Sequence, residues 1–114
     1  MNTRAAKILA GLVLGAFAAA AGAQDRPAGS VERGLKIYTE LLCSSCHGTV
    51  GQGGAPPGGG PKLTPNPFPF MAFALQLRKP RLDMPAYTEK WVSDQEVADM
   101  YAYLLSIKQA SAQK

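Results

Sequence analysis

The sequence predicts an all-α domain with long loops, on three observations. Apolar residues recur at spacings of three and four in three segments, the pattern of one buried helix face. No segment shows the strict apolar–polar alternation of a half-buried strand, and there is no internal repeat. Between the first and second segments, Gly48 to Pro69 holds seven Gly and six Pro, too many for a regular element.

The N-terminal stretch stands apart from this domain. Arg4 and Lys7 precede a run from Ile8 to Ala23 that is entirely apolar or Gly and ends in Ala21-Gly22-Ala23. This is the layout of a secretory signal peptide: charged start, apolar centre, small-residue cleavage site. A membrane anchor is the alternative, but the run falls short of the ~20 residues a span needs and is rich in Ala and Gly. We expect residues 1–23 to be cleaved, leaving no stable membrane anchor, and the product to lie in the periplasm. No Cys follows the run to take a lipid. Removing 23 of the 114 residues leaves 91, and the net charge falls from +4 to +2. So mild a surplus argues against nucleic-acid binding. A chain this small commonly needs a disulfide, metal, cofactor or partner to complete its core.

Residues 24–29 (QDRPAG) read as a flexible lead-in. Ser30 then caps a helix expected to run to about Leu42, with Val31, Leu35, Tyr38, Leu41 and Leu42 on one face. Gly34 shares that face at a cost in helix propensity, which points to another backbone or ring approaching closely. The Gly/Pro stretch is long for a structureless loop in a compact domain, so it is expected to wrap something. Phe70 to Arg78 is a second helix, with Phe70, Phe73, Ala74 and Leu77 on one side, stopped by Lys79-Pro80. Arg81 to Trp91 is irregular and contains Asp83-Met84-Pro85. Ser93-Asp94-Gln95-Glu96 is a capping box for a third helix, whose apolar side is Val97, Met100, Tyr101, Leu104, Leu105 and Ile107. The domain is expected to span 30–107, with a frayed tail over 108–114.

The only two Cys and the only His lie together as Cys43-Ser44-Ser45-Cys46-His47. Cys-x-x-Cys-His is the c-type haem attachment motif. Two thiols three residues apart can each bond a vinyl group of the macrocycle, and the next residue sets its imidazole under the iron. An export signal agrees with haem attachment outside the cytoplasm. Structural zinc wants four N/S ligands where one chain offers three. A four-Cys iron–sulfur cluster needs a second chain. A thioredoxin-like dithiol wants a βαβ setting. A small-loop disulfide, or a redox dithiol, is the competing reading.

On these residues the sequence resembles the class I c-type cytochromes over nearly all of Ser30 to Ile107. Gly34 and Tyr38 precede Cys43-Ser44-Ser45-Cys46-His47, Gly60-Pro61-Lys62-Leu63 looks like the family's Gly-Pro-x-Leu segment, Met84-Pro85 looks like its distal ligand and following Pro, and Tyr103 lies on the last helix. Tyr38 stands five residues before Cys43, where the family has four. The resemblance implies a cytochrome c-like fold of three or more short helices and long loops wrapped around one haem c, covalently attached through Cys43 and Cys46. It implies His47 as proximal iron ligand, the Pro61 carbonyl as acceptor for its other ring nitrogen, Leu63 packed on the haem, and Gly34 crossing the last helix against Tyr103.

The sixth ligand has its own argument. No second His exists, so a thioether is the natural partner, and it raises the potential. Met71 and Met100 occupy apolar helical positions, where core packing is the plain reading. Met84 is in a loop beside Pro85 among polar residues, which favours it as ligand, with Met71 next and an open coordination site third. Arg78, Lys79 and Arg81 are a solvated helix end, a docking patch for an acidic redox partner, or a source of haem-propionate pairing. Trp91 is either a packed aromatic or a propionate donor.

The function expected is a one-electron carrier, not an enzyme, cycling Fe(II)/Fe(III) between a donor dehydrogenase or complex and an acceptor through transient redox protein partners. The alternative is a tightly bound cytochrome subunit of a periplasmic flavin- or quinone-dependent dehydrogenase. A gas sensor or enzyme would need an open coordination site.

Overall fold

The computed structural model describes residues 26–112. The expected signal peptide, residues 1–23, lies outside the described residues, as do positions 24–25 and 113–114. Four helices follow in order: α1 (Val31–Glu40), α2 (Cys43–His47), α3 (Phe70–Arg78) and α4 (Asp94–Ala112). Among the described residues there is no strand, so the fold is all-α as expected. The attachment motif forms a helix of its own.

The N-cap of α1 is Ser30, whose Oγ accepts from the Arg33 N–H at 3.3 Å. The helix ends at Glu40, two residues short of the expected Leu42. Leu42 adopts the left-handed conformation, with φ of 58°. Leu41 and Leu42 form the turn between α1 and α2. Tyr38 keeps its inward register while α2 starts at Cys43.

α1 crosses α4 at Gly34. A methyl group there would run into the Asp99 carbonyl and lie 2.9 Å from the Tyr103 Cβ. One turn on, the buried Tyr38 ring meets Tyr103, with centroids 5.4 Å apart and planes tilted by 55°. A polar tie lies beside this contact. Asp99, 1% exposed, accepts from the Ser30 N–H at 2.7 Å and from Arg33 Nε and Nη2 at 2.8 and 3.0 Å.

α3 packs Phe70 and Phe73 against the Tyr101 ring at 5.4 and 5.3 Å. Leu77, Val92, Val97, Met100 and Leu104 complete the core. The capping box of α4 forms as read: the Ser93 N–H donates to Glu96 Oε2 at 2.7 Å, and the Glu96 N–H to Ser93 Oγ at 3.2 Å. α4 remains helical to Ala112, beyond Ile107, after which the frayed tail was expected.

Two expectations for side chains change. Arg78 does not share an exposed cluster with Lys79 and Arg81. Its Nη1 donates to the carbonyls of Tyr87 (2.9 Å) and Val92 (2.7 Å), and its Nη2 to Asp94 (2.7 Å). A planar, always charged, multi-donor group is suited to stapling a loop by its carbonyls, and here it ties the 81–92 segment to α3. Trp91 is not a packed aromatic but stands 75% exposed, because the core below the α4 cap is filled by Val92.

Candidate functional site

α2 sets Cys43 and Cys46 one turn apart, on one helix face. Cys43 is half-buried against the core and Cys46 is exposed; both are free thiols. Burial pushes the Cys43 thiol up to about 11. A reactive redox dithiol needs the opposite, a thiol lowered toward neutrality.

The buried His47 imidazole closes α2. Its Nδ1 lies 2.8 Å from the Pro61 carbonyl oxygen. A carbonyl only accepts, so Nδ1 carries the hydrogen and donates, and Nε2 keeps the free lone pair. Gly60 makes the approach possible: a Cβ there would sit 2.8 Å from both Cε1 and Nδ1 of the ring.

The Gly/Pro stretch is irregular but tied to the motif. Gly53 N–H donates to the His47 carbonyl at 2.8 Å, and Gly60 N–H to the Cys46 carbonyl at 2.7 Å. Leu63 and Thr64 N–H groups converge on the Gly51 carbonyl at 2.7 and 3.0 Å, leaving Leu63 half-buried against the core. Two core tyrosines hold the exit from the motif: Tyr38 donates to the Gly48 carbonyl at 2.7 Å and Tyr103 to that of Thr49 at 3.1 Å.

The three candidate methionines, Met71, Met84 and Met100, separate clearly. Met100 is core. Met71, also expected in the core, is 68% exposed on α3, where the inward positions are taken by Phe70, Phe73 and Leu77. Met84 is half-buried against the core. Its Sδ accepts from Gln76 Nε2 at 3.6 Å. Three residues on, the Tyr87 N–H donates to the Leu77 carbonyl at 2.9 Å. The Tyr87 hydroxyl is pushed up first by burial, then by Cys43 and Cys46 beside it. The Met84 segment therefore runs alongside both α3 and the cysteine pair.

The region offers two thiols able to bond a macrocycle, and an imidazole nitrogen and a thioether, borderline and soft groups of the kind that ligate haem iron. Among the described residues no group of three or more His, Cys, Asp or Glu is placed to hold a metal ion by itself. Leu42, Val50, Phe68 and Leu75 are unusually exposed for their types. Phe68, Ala72 and Leu75 line a cleft with Gln76, the Met84 partner, and with Lys79 and Arg81 at its edge. Cys43, Cys46, His47, Leu63 and Met84 do not line that cleft. The fit to a haem rests instead on the motif itself, where the His47 ring is cradled against Gly60 with Nδ1 taken by Pro61 and Nε2 left free.

Sequence reasoning missed Gln76, Tyr87 and Asp99. Nothing in the spacing of Gln76 marks it, since its partner is a loop residue; Tyr87 sits in a segment with no periodicity to read.

A family model described as cytochrome c oxidase, cbb3-type, subunit III matches residues 29–104. No curated protein and no solved structure matches the chain. No helix among the described residues is long and apolar enough to cross a membrane.

Proposed function

The chain belongs to the family described as cytochrome c oxidase, cbb3-type, subunit III, and on that premise we propose that it is a periplasmic one-electron carrier holding a single haem c with His/Met ligation. A cytochrome c domain is an electron-transfer module. When bound, the haem supplies a one-electron ferrous/ferric couple, and no substrate is transformed.

The protein's residues divide the work. Cys43 and Cys46 hold the haem through two thioethers. His47 faces the iron through Nε2 while the Pro61 carbonyl keeps Nδ1 and fixes the tautomer; such a partner orients the ligand and raises its basicity. Met84 is the distal ligand, and Leu63 lies against the macrocycle. The observation that carries the reading is the His47–Pro61 hydrogen bond of 2.8 Å at the end of a helix bearing both cysteines, which leaves one imidazole nitrogen committed and one available. Lys79 and Arg81, exposed beside the α3 cleft, supply steering charge for an acidic partner.

The family description favours a second reading, in which the domain is held in an enzyme complex instead of diffusing. A bound subunit of a periplasmic flavin- or quinone-dependent dehydrogenase is one such arrangement. Purification from membranes and from periplasm separates the two: a carrier is recovered alone, a subunit with its complex.

The test is the exported protein produced with haem-attachment machinery. Haem that survives denaturing electrophoresis, a mass equal to residues 24–114 plus one haem, and the long-wavelength band of thioether-ligated ferric haem are expected. Met84→Ala should lose that band and Cys43→Ala/Cys46→Ala the covalent haem. A double variant that keeps native helicity and electron transfer without haem overturns the proposal.

A further inference from the structure

Gln76 has no part in the reading above, yet it makes a polar contact to the proposed distal ligand. It is half-buried on α3 between Phe73 and Leu77, both inward-facing, and its Nε2 donates to Met84 Sδ at 3.6 Å. The residues flanking Met84 are exposed, while the backbone from Tyr87 on is tied to α3 by Leu77 and Arg78. Leu82 is 98% exposed with a left-handed φ of 57°, and Asp83 and Pro85 face solvent. The Leu77 and Arg78 contacts hold the backbone of this segment, whereas the Gln76 amide meets the Met84 sulfur itself. A thioether sulfur is a weak acceptor, but it has two lone pairs, so one can take the amide hydrogen while the other stays available to a soft metal.

We propose that Gln76 is a positioning residue for Met84: its amide ties the thioether to α3, orients the free lone pair and draws electron density from the sulfur. The proposal rests on Met84 being the distal ligand. Two consequences follow. Without the N–H, the more electron-rich sulfur stabilises ferric iron better, so the potential falls. Without the tether, an added ligand displaces Met84 more easily.

The test uses the holoprotein and its Gln76→Leu variant, with imidazole as the competing ligand and the potential measured in parallel. Gln76→Leu should keep the thioether band, lower the potential and bind imidazole about two- to fivefold more tightly, the worth of one modest hydrogen bond. Gln76→Glu has the same shape but no donor when ionised. At neutral pH it should lower the potential at least as far as the leucine variant, since loss of the donor and the added negative charge both favour ferric iron; it also serves if the leucine variant fails to load haem. A role in packing alone would lower the unfolding temperature and leave potential and imidazole affinity unchanged, overturning the proposal. Met84→Leu separates the two layers. If the thioether band survives it, the ligand assignment fails and this inference with it. If the band disappears while Gln76→Leu matches the parent, only the inference about Gln76 fails.

Discussion

Asp99 is a buried carboxylate held by donors from α1, from the N-cap of α1 and from its own helix. Its carboxyl is held at about 2, chiefly by hydrogen bonding from Arg33, with Ser30 N–H and Gln95 adding to it, while burial works the other way. The folded-state value lies below the ~3.9 of an unfolded Asp. The group therefore contributes stability that is fully present above about pH 4 and is lost as the pH falls through about 2. Because the Arg33 side chain is 61% exposed, solvent screens the pair and the contribution is discounted to about 1 kcal/mol at most. Asp99→Asn should cost about that much in denaturant unfolding of the holoprotein at pH 7. The gap to the parent should narrow between pH 4 and pH 2; a gap constant across this range would mean that charge is not what matters. None of this is legible in the sequence, where Asp99 is one polar residue in an apolar stretch and its partner lies 66 positions away.

The crossing of α1 and α4 is the packing event that sets the frame for the motif. A Gly on an apolar helix face was readable as a close approach, and the approach is to backbone: the Asp99 carbonyl stands where a Cβ would go. Backbone cannot rotate aside as a side chain can. Gly34→Ala should therefore destabilise by about 1–3 kcal/mol, as overpacking does, even though Ala gains ~1 kcal/mol in helix propensity. Unfolding of the holoprotein measures this, and a stabilised variant would show that the helices separate freely. Helices α1, α3 and α4 were readable because periodicity and caps are local properties. The Leu42 turn was not, because it follows from how Tyr38 and Cys43 must both be placed. The role of Arg78 is not legible among the three open to it in sequence, because its acceptors are carbonyls of a later loop, which carry no side-chain signature. The site divides the same way. Cys43, Cys46 and His47 announce themselves because attachment chemistry demands their spacing. Pro61 acts through its carbonyl and was reached only through the family resemblance.

The polypeptide taken together has a core built chiefly from the contacts of α4 with α1 and α3, with Val92 added from the loop before α4. The 48–69 segment is organised around the Cys46 and His47 carbonyls and the His47 ring, with no helix or strand of its own. Several large apolar side chains, Leu42, Val50, Phe68 and Leu75 among them, face outward. Such a chain buries too little apolar surface to offset its own ordering entropy comfortably, since domains of this size are marginal even when well packed. A macrocycle bonded to α2 and ligated from the 81–92 loop would supply the missing apolar volume and join the two least regular segments. A group bound only by the folded state stabilises it in proportion to its affinity. The chain freed of haem should accordingly lose cooperative thermal unfolding, measured by circular dichroism, at temperatures where the holoprotein is still fully folded. Limited proteolysis of the two forms gives the spatial half of the test. In the haem-free chain, cleavage should come first within 48–69, which has no helix or strand of its own and is mostly exposed, while 81–92 keeps the Arg78 and Tyr87 ties to α3 and the buried Val92. α1 and α4 should survive longest, because Gly34, Tyr38 and Tyr103 join them without any cofactor. Equal resistance of the loops in both forms would mean that the fold stands without the haem and that the Gly/Pro segment is held by the protein alone.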